Sequence, residues 1–240
     1  MRYLASVSYD GSKFYGFQKL NNYKTVQEEI EKALTIINKT YTGVKGAGRT
    51  DRGVHAYSQG VTFDLNVYIP IEHLLMALNR VVDNGIHFNY IEEVSNDFHA
   101  RFNAKKKEYE YVINMGEYDP IINDYVYNYN RKLELNAMKK AAKILTGFHS
   151  YKAFTSGYRE SYNSVIYSIK FKRKGDFLTI KFVGKSFYRY MVRNMVGALI
   201  AASEGKITCE DVKLMLKEEK KNVKYNTVPA NGLYLVKVYY

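Results

Sequence analysis

The stretch Gly46-Ala47-Gly48-Arg49-Thr50-Asp51-Arg52-Gly53-Val54-His55-Ala56 gathers the densest set of reactive side chains in the sequence. Its three glycines permit backbone conformations with positive φ. Around them stand two arginines, one carboxylate and one histidine. One reading is a tight loop in which Asp51 forms an Asx-turn and the arginines are solvated. The other is a carboxylate available for reaction. The loop alone leaves both readings open.

Other chemistries find less support. The five histidines, at 55, 73, 87, 99 and 149, do not pair at metal-ligand spacing, so no metal site is expected. Cys209 is the one cysteine, which excludes an internal disulfide and any multi-cysteine zinc site. It falls in the first turn of a helix, but no recognisable nucleophile signature surrounds it. No Walker loop or Rossmann glycine pattern is present. No cofactor is expected.

The chain has 240 residues, 36 Lys plus Arg and 24 Asp plus Glu, for a net charge of +12. Apolar residues make up 46%, enough for a packed core and too many for a disordered chain. There are 24 Tyr and no Trp. Basic charge with many rings suits a polyanion partner, because cations meet phosphates and rings stack on bases. Tyr is also an ordinary strand residue, so composition alone does not choose. No apolar run reaches the roughly 18–20 residues that span a bilayer. The first residues alternate like a strand and do not read as a signal peptide. A reducing cytoplasm is the expected compartment.

The elements that must carry these residues can be read from periodicity. Residues 2–9 alternate as a half-buried strand ending at Asp10-Gly11. Thr25-Val26-Gln27-Glu28 predicts a reciprocal capping box opening a helix to about Lys39. Residues 42–46 and 57–65 predict strands on either side of the Gly46–Ala56 loop. Pro70 predicts the first position of a second helix, and 86–95 is extended. Tyr109, Tyr111 and Ile113 alternate within a strand over 107–115. A helix over about 135–146 is expected to stop at Gly147. Strands over 162–173 and 176–184 follow. A helix over 187–204, a short one capped by Thr208, and a last strand from Gly232 to Tyr240 complete the chain. This is an α+β pattern. Two lobes are expected, 1–104 and 105–240, meeting at the Lys105-Lys106-Lys107 run.

Six blocks, in order and nearly end to end, resemble the TruA family of tRNA pseudouridine synthases. They are YDGSKFYGFQ (9–18), TVQEEIEKAL (25–34), GAGRTDRGVHA (46–56), DFHARFNAKKKEYEYVI (97–113), FYRYMVRNMVGALI (187–200) and VPANGLYLVKVYY (228–240). The resemblance implies the pseudouridine synthase fold, with two related α/β lobes sharing a continuous, mainly antiparallel sheet flanked by helices. It implies isomerisation of uridine at positions 38, 39 and 40 of the tRNA anticodon stem-loop, by a homodimer.

The resemblance also implies site residues. Asp51 matches the catalytic aspartate, and Arg193 the arginine that pairs with it. Tyr109 matches the tyrosine against the target base, Arg49 the arginine that helps expose the nucleotide, and Leu233 the apolar residue closing the pocket. The target must be flipped out, at a cost of a few kcal/mol. Phosphate contacts offset that cost, and Arg101, Lys105, Lys106, Lys107, Lys172, Arg173, Lys174, Lys185 and Arg189 are the candidates. Asp51 attacks C1′, attacks C6 or removes a ribose proton; the sequence leaves the step open. Phe17 stands where the family usually has Trp, Gly46 occupies a variable position, and Ser150 to Val165 follows the pattern poorly. Two alternatives stand beside this reading: a pseudouridine synthase for another RNA site, and a non-catalytic tRNA-binding protein.

Overall fold

The computed structural model describes residues 1–240. They form two compact units, Met1–Lys105 with Tyr234–Tyr240, and Lys106–Leu233. The closing residues therefore pack with the N-terminal unit.

In the first unit the strand order is β4 (Ile86–Val94), β1 (Arg2–Tyr9), β3 (His55–Asp64) and β10 (Leu233–Tyr239), with β2 (Lys45–Gly46) also on β3. β1 is antiparallel to both neighbours, whereas β10 runs parallel to β3. Two helices, α1 (Val26–Asn38) and α2 (Ile71–Val81), contribute Val26, Ile30, Leu34, Leu74 and Leu78 to the core. β1 is more deeply buried than its alternation predicted. Leu4 and Ser6 are buried along with Tyr3, Ala5 and Val7. Ser6 is tolerated there because its hydroxyl lies 2.7 Å from that of Ser58.

The cap of α1 is half of the expected motif. The Thr25 hydroxyl accepts from the Glu28 N–H at 3.4 Å, but the Glu28 carboxylate turns instead toward Lys32, 3.6 Å away. Pro70 stands one residue before α2, as its cap rather than its first residue. The expected strand over 42–46 shortens to Lys45–Gly46. The buried Glu31 carboxylate explains part of this. It accepts the Val44 N–H (3.2 Å), so that backbone bonds to a helix side chain rather than to a strand.

In the second unit the order is β5 (Lys106–Asn114), β9 (Phe177–Gly184), β8 (Asn163–Lys174) and β7 (Gly147–Ser150), with β6 (Tyr127–Asn128) parallel to β5. The other pairings are antiparallel. Helices α3 (Leu135–Leu145), α4 (Met191–Ser203) and α5 (Cys209–Glu218) complete it. Met138, Leu145, Met195, Leu199, Val212 and Met215 from these helices are buried, as are Tyr111, Ile113, Ile180 and Phe182 from the strands. The Thr208 cap of α5 is a full capping box with Asp211.

Two expectations shift here. Gly147 does not cap α3: Thr146 does, and Gly147 (φ 120) opens β7. The apolar helix starts at Met191, not at 187, because Tyr190 takes a left-handed conformation (φ 62) that no helix continues through. The freed residues serve elsewhere. Phe187 packs edge-on to Tyr109, and the Tyr188 hydroxyl donates to the Asn163 carbonyl.

Candidate active site

The Gly46–Ala56 loop links β2 to β3 in the first unit, and the segment just after β1 holds it backbone to backbone. A Cβ on Gly11 would lie 2.1 Å from the Val54 carbonyl oxygen. Gly16 has φ 90, and a Cβ there would lie 2.8 Å from the Thr50 oxygen and 3.2 Å from the Arg52 nitrogen. Real Cβ atoms do not come that close, so glycine is required at both places. The Phe17 N–H donates to the Thr50 carbonyl (3.2 Å), and the Tyr9 and Thr50 hydroxyls sit 2.9 Å apart. Burial pushes the Tyr9 phenol well above its ordinary pKa, against the opposing pull of its Thr50 hydrogen bond, so it stays a neutral partner.

The loop closes on itself as well. The Val54 N–H donates to the Asp51 carbonyl (3.1 Å), with Gly53 at φ 81 in the third position of the turn. From β3, the Gln59 amide donates to the Gly48 carbonyl at 2.8 Å, and the Gly60 carbonyl accepts the Ala47 N–H at 2.7 Å. The buried His55 presents Nδ1 to the Gly11 N–H (3.0 Å), and the Asp10 carboxylate lies 3.4 Å from the same nitrogen. His55 thus ties the loop to the Asp10–Gly11 turn and also stacks on Tyr234, ring centres 4.7 Å apart. Sequence reasoning missed this scaffold role of Gly11, Gly16, Tyr9 and His55. The signal was the pair of glycines in residues 9–18.

Two departures from the family pattern prove to be one. A Cβ on Gly46 would lie 2.5 Å from the Phe17 ring. Phe17 therefore fills the space that a side chain at 46 would take.

This frame presents a half-buried Asp51 between two exposed arginines. Arg49 makes no ion pair or hydrogen bond within the protein, and Arg52 lies over the Tyr15 ring. A carboxylate on a doubly braced loop has little freedom to relax, which suits a group that must meet a reacting carbon at a fixed distance.

In the second unit Arg193 and Leu233 lie at opposite ends of one segment, Val228–Leu233. Arg193, in the first turn of α4, donates from Nε to the Val228 carbonyl at 2.8 Å and lies 4.9 Å over the Tyr190 ring. Gly197, one helical turn on, lets the chain lie against α4: a Cβ there would be 2.1 Å from the Asn226 oxygen. At the other end, the Val112 N–H of β5 donates to the Gly232 carbonyl (2.8 Å), and the Tyr111 hydroxyl donates to the Pro229 carbonyl (2.8 Å). Leu233 follows directly and is 6% exposed.

Tyr109 and Tyr111 share a face of β5, as their spacing predicted, but differ in use. The Tyr111 hydroxyl is committed to the backbone, and its ring is fully buried, which drives its pKa well up despite the nearby Arg193 charge. Tyr109 is 8% exposed and rests edge-on against Phe187, ring centres 4.9 Å apart.

The cations expected to meet phosphates are at the surface. Arg101, Lys105, Lys106, Lys172, Arg173, Lys174, Lys185 and Arg189 are exposed, and Lys107 is half-buried. Arg101 and Lys105 belong to the first unit and the others to the second.

A family model described as tRNA pseudouridine synthase matches residues 5–103 and 141–240. The chain is similar to tRNA pseudouridine synthase A of Listeria monocytogenes serotype 4a (strain HCC23), with 41% identity over 245 residues, covering 100% of this chain and 99% of the relative. It is 39% identical over 241 residues to the protein of the same name from Borreliella afzelii, covering 99% and 98% of the two chains. A third, from Mycoplasmoides gallisepticum, is 37% identical over 237 residues, covering 99% and 90%.

Proposed function

Because this chain belongs to the tRNA pseudouridine synthase family and isomerises uridine in tRNA to pseudouridine, we propose that Asp51 is its catalytic carboxylate and that its targets lie at positions 38, 39 and 40 of the anticodon stem-loop. The observation that carries the first part is the bracing of the Asp51 loop by two glycines that admit no side chain.

The reaction breaks the C1′–N1 bond, turns the released uracil and joins C5 to C1′. N1 ends with a proton and C5 loses one, so the product is an isomer and nothing is consumed. One ionised carboxylate is the essential group. Tyr109 is the ring against the target base, Arg193 the cation that keeps the carboxylate ionised, and Leu233 the apolar wall that excludes water. Arg49 helps hold the extruded nucleotide. The buried anchors of Arg193 and Leu233 support these roles, since a side chain fixed by its neighbours needs no reordering when substrate arrives. The Lys105–Lys107 run, Arg101, Lys185 and Arg189 meet phosphates, which favours shape reading of RNA over sequence reading. The protein acts as a homodimer in the cytoplasm. No helix is long and apolar enough to cross a membrane.

The test is chemical mapping of pseudouridine in unmodified tRNA incubated with the wild-type protein and with Asp51→Asn. Modification at 38–40 by the wild type alone is the expected result. Turnover by the Asn variant near that of wild type removes Asp51 from catalysis. Modification elsewhere in tRNA replaces the assignment of positions.

A further inference from the structure

Two tyrosines beside the Asp51 loop are exposed and stacked. Tyr15 and Tyr23 lie with ring centres 4.3 Å apart and planes 28° from parallel, and they are 39% and 47% exposed. The Arg52 guanidinium lies 4.0 Å above the Tyr15 ring, making a three-layer stack. Arg52 makes no ion pair and no hydrogen bond within the protein, so its five N–H donors are all open. The neighbouring Lys24 differs, being neutralised by Asp83 at 2.6 Å.

The stack is also rigidly placed. The Tyr15 N–H donates to the Lys24 carbonyl at 2.8 Å, and Gly16 lies against the Thr50–Arg52 backbone. Arg52 is the residue after Asp51 and the second position of the turn that Val54 closes. The stack and the Asp51 backbone therefore move together.

We propose that Arg52, backed by Tyr15 and Tyr23, is a platform for a base of the RNA substrate, taking a nucleotide that neighbours the target uridine. The outer face of the guanidinium and its N–H edge are open to solvent. The chemistry that fits them is a flat, electron-rich ring attached to phosphate. A guanidinium plane accepts an unstacked base as an aromatic ring does, and its N–H edge reaches phosphate oxygens. Pulling the target out of its stack leaves a neighbouring base without a partner, and the platform supplies one. The proposal rests on the reading that Asp51 is the catalytic carboxylate.

The experiment uses the full chain and anticodon stem-loop RNAs carrying 2-aminopurine at the nucleotides on either side of the modified uridine, in turn. Stacking on Arg52 should quench the probe at one of these positions. Arg52→Ala should abolish that quenching and weaken binding about 5- to 30-fold. Arg52→Lys keeps the charge and loses the plane, so it should recover part of the affinity and none of the quenching. Asp51→Asn should retain the quenching. Arg52 is exposed, so both variants should fold, and circular dichroism checks this. Unchanged quenching in Arg52→Ala, or full recovery of both readouts by Lys, overturns the platform. Loss of thermal stability without a change in quenching does so too, making Arg52 only a clamp on its loop. Pseudouridine formation by Asp51→Asn on the same RNAs overturns the Asp51 reading separately, whatever the fluorescence shows.

Discussion

Replacing Gly16 by Ala tests the idea that residues 9–18 exist to brace the Asp51 loop. The new Cβ would start 2.8 Å from the Thr50 carbonyl oxygen, and ordinary contact begins near 3.4 Å, so the loop must withdraw by about 0.6 Å. The residue also sits at φ 90, where a side chain costs about 1–2 kcal/mol. Retreat of Thr50 stretches the 3.2 Å bond from the Phe17 N–H and disturbs the Tyr9–Thr50 contact, adding about 1 kcal/mol. Stability should fall by about 2–3 kcal/mol, read as a lower urea midpoint. The displacement passes directly to Asp51, the next residue. A misplacement of about 1 Å costs on the order of 100-fold, so kcat should fall about tenfold. The assay is release of tritium from tRNA labelled at uridine C5, since joining C5 to C1′ expels that hydrogen. Gly175→Ala is the control. It has φ 59 with nothing within 4 Å of a new Cβ, so it should lose about 1 kcal/mol of stability and no activity. Equal loss of kcat in both variants, or wild-type kcat in Gly16→Ala, refutes the bracing argument.

Arg193→Ala removes a donor to the Val228 carbonyl and should lower stability by about 1 kcal/mol. It should also reduce kcat well beyond its effect on tRNA affinity, whereas equal losses in turnover and binding would contradict the proposed pairing with Asp51. Glutamate at Lys105, Lys106 and Lys107 should weaken tRNA binding and flatten its dependence on salt, because each lost phosphate contact lowers the slope by nearly one. An unchanged slope takes that run out of the footprint. Glu204 is held below the usual carboxylate range by Lys206 first and the Tyr129 hydroxyl second. A lowered folded pKa gives stability that is present above about pH 4.3 and lost as pH falls through the folded value. Glu204→Gln should therefore lower the urea midpoint at pH 7, by about 1 kcal/mol or less after solvent screening, and the gap to wild type should narrow as pH falls below the unfolded value of about 4.3. A gap that does not change with pH would refute the charge-based account.

What was legible in the sequence was whatever local physics decides. α1 begins after Thr25 because a hydroxyl there satisfies an N–H that the helix leaves open. Thr208 and Asp211 do the same for α5 in both directions. The start of α4 was not legible, since FYRY fits a helical pattern. Its departure comes from what Phe187 and Tyr188 find elsewhere in the unit, at Tyr109 and Asn163. Likewise the burial of both faces of β1 depends on what packs above and below the sheet, which alternation within eight residues does not report.

At the candidate site the division is sharper. Asp51, Arg193, Tyr109 and Leu233 were named by resemblance, because their types carry chemistry. The residues that aim Asp51 carry none: Gly11 and Gly16 act by having no side chain, and His55 by accepting one backbone N–H. Such roles exist only as distances between segments far apart in the chain. The pair Phe17 and Gly46 shows the same logic. Read singly, each looked like a departure from the family. In this chain they are in contact, and the absence of a side chain at 46 leaves room for the Phe17 ring. A substitution at one should be judged with the other in place, because neighbours that share a cavity do not contribute additively. The same reasoning reaches Arg52. Its position in the loop is set by Gly16 and Gly53, so any change that disturbs those glycines moves the stacked guanidinium together with the carboxylate beside it.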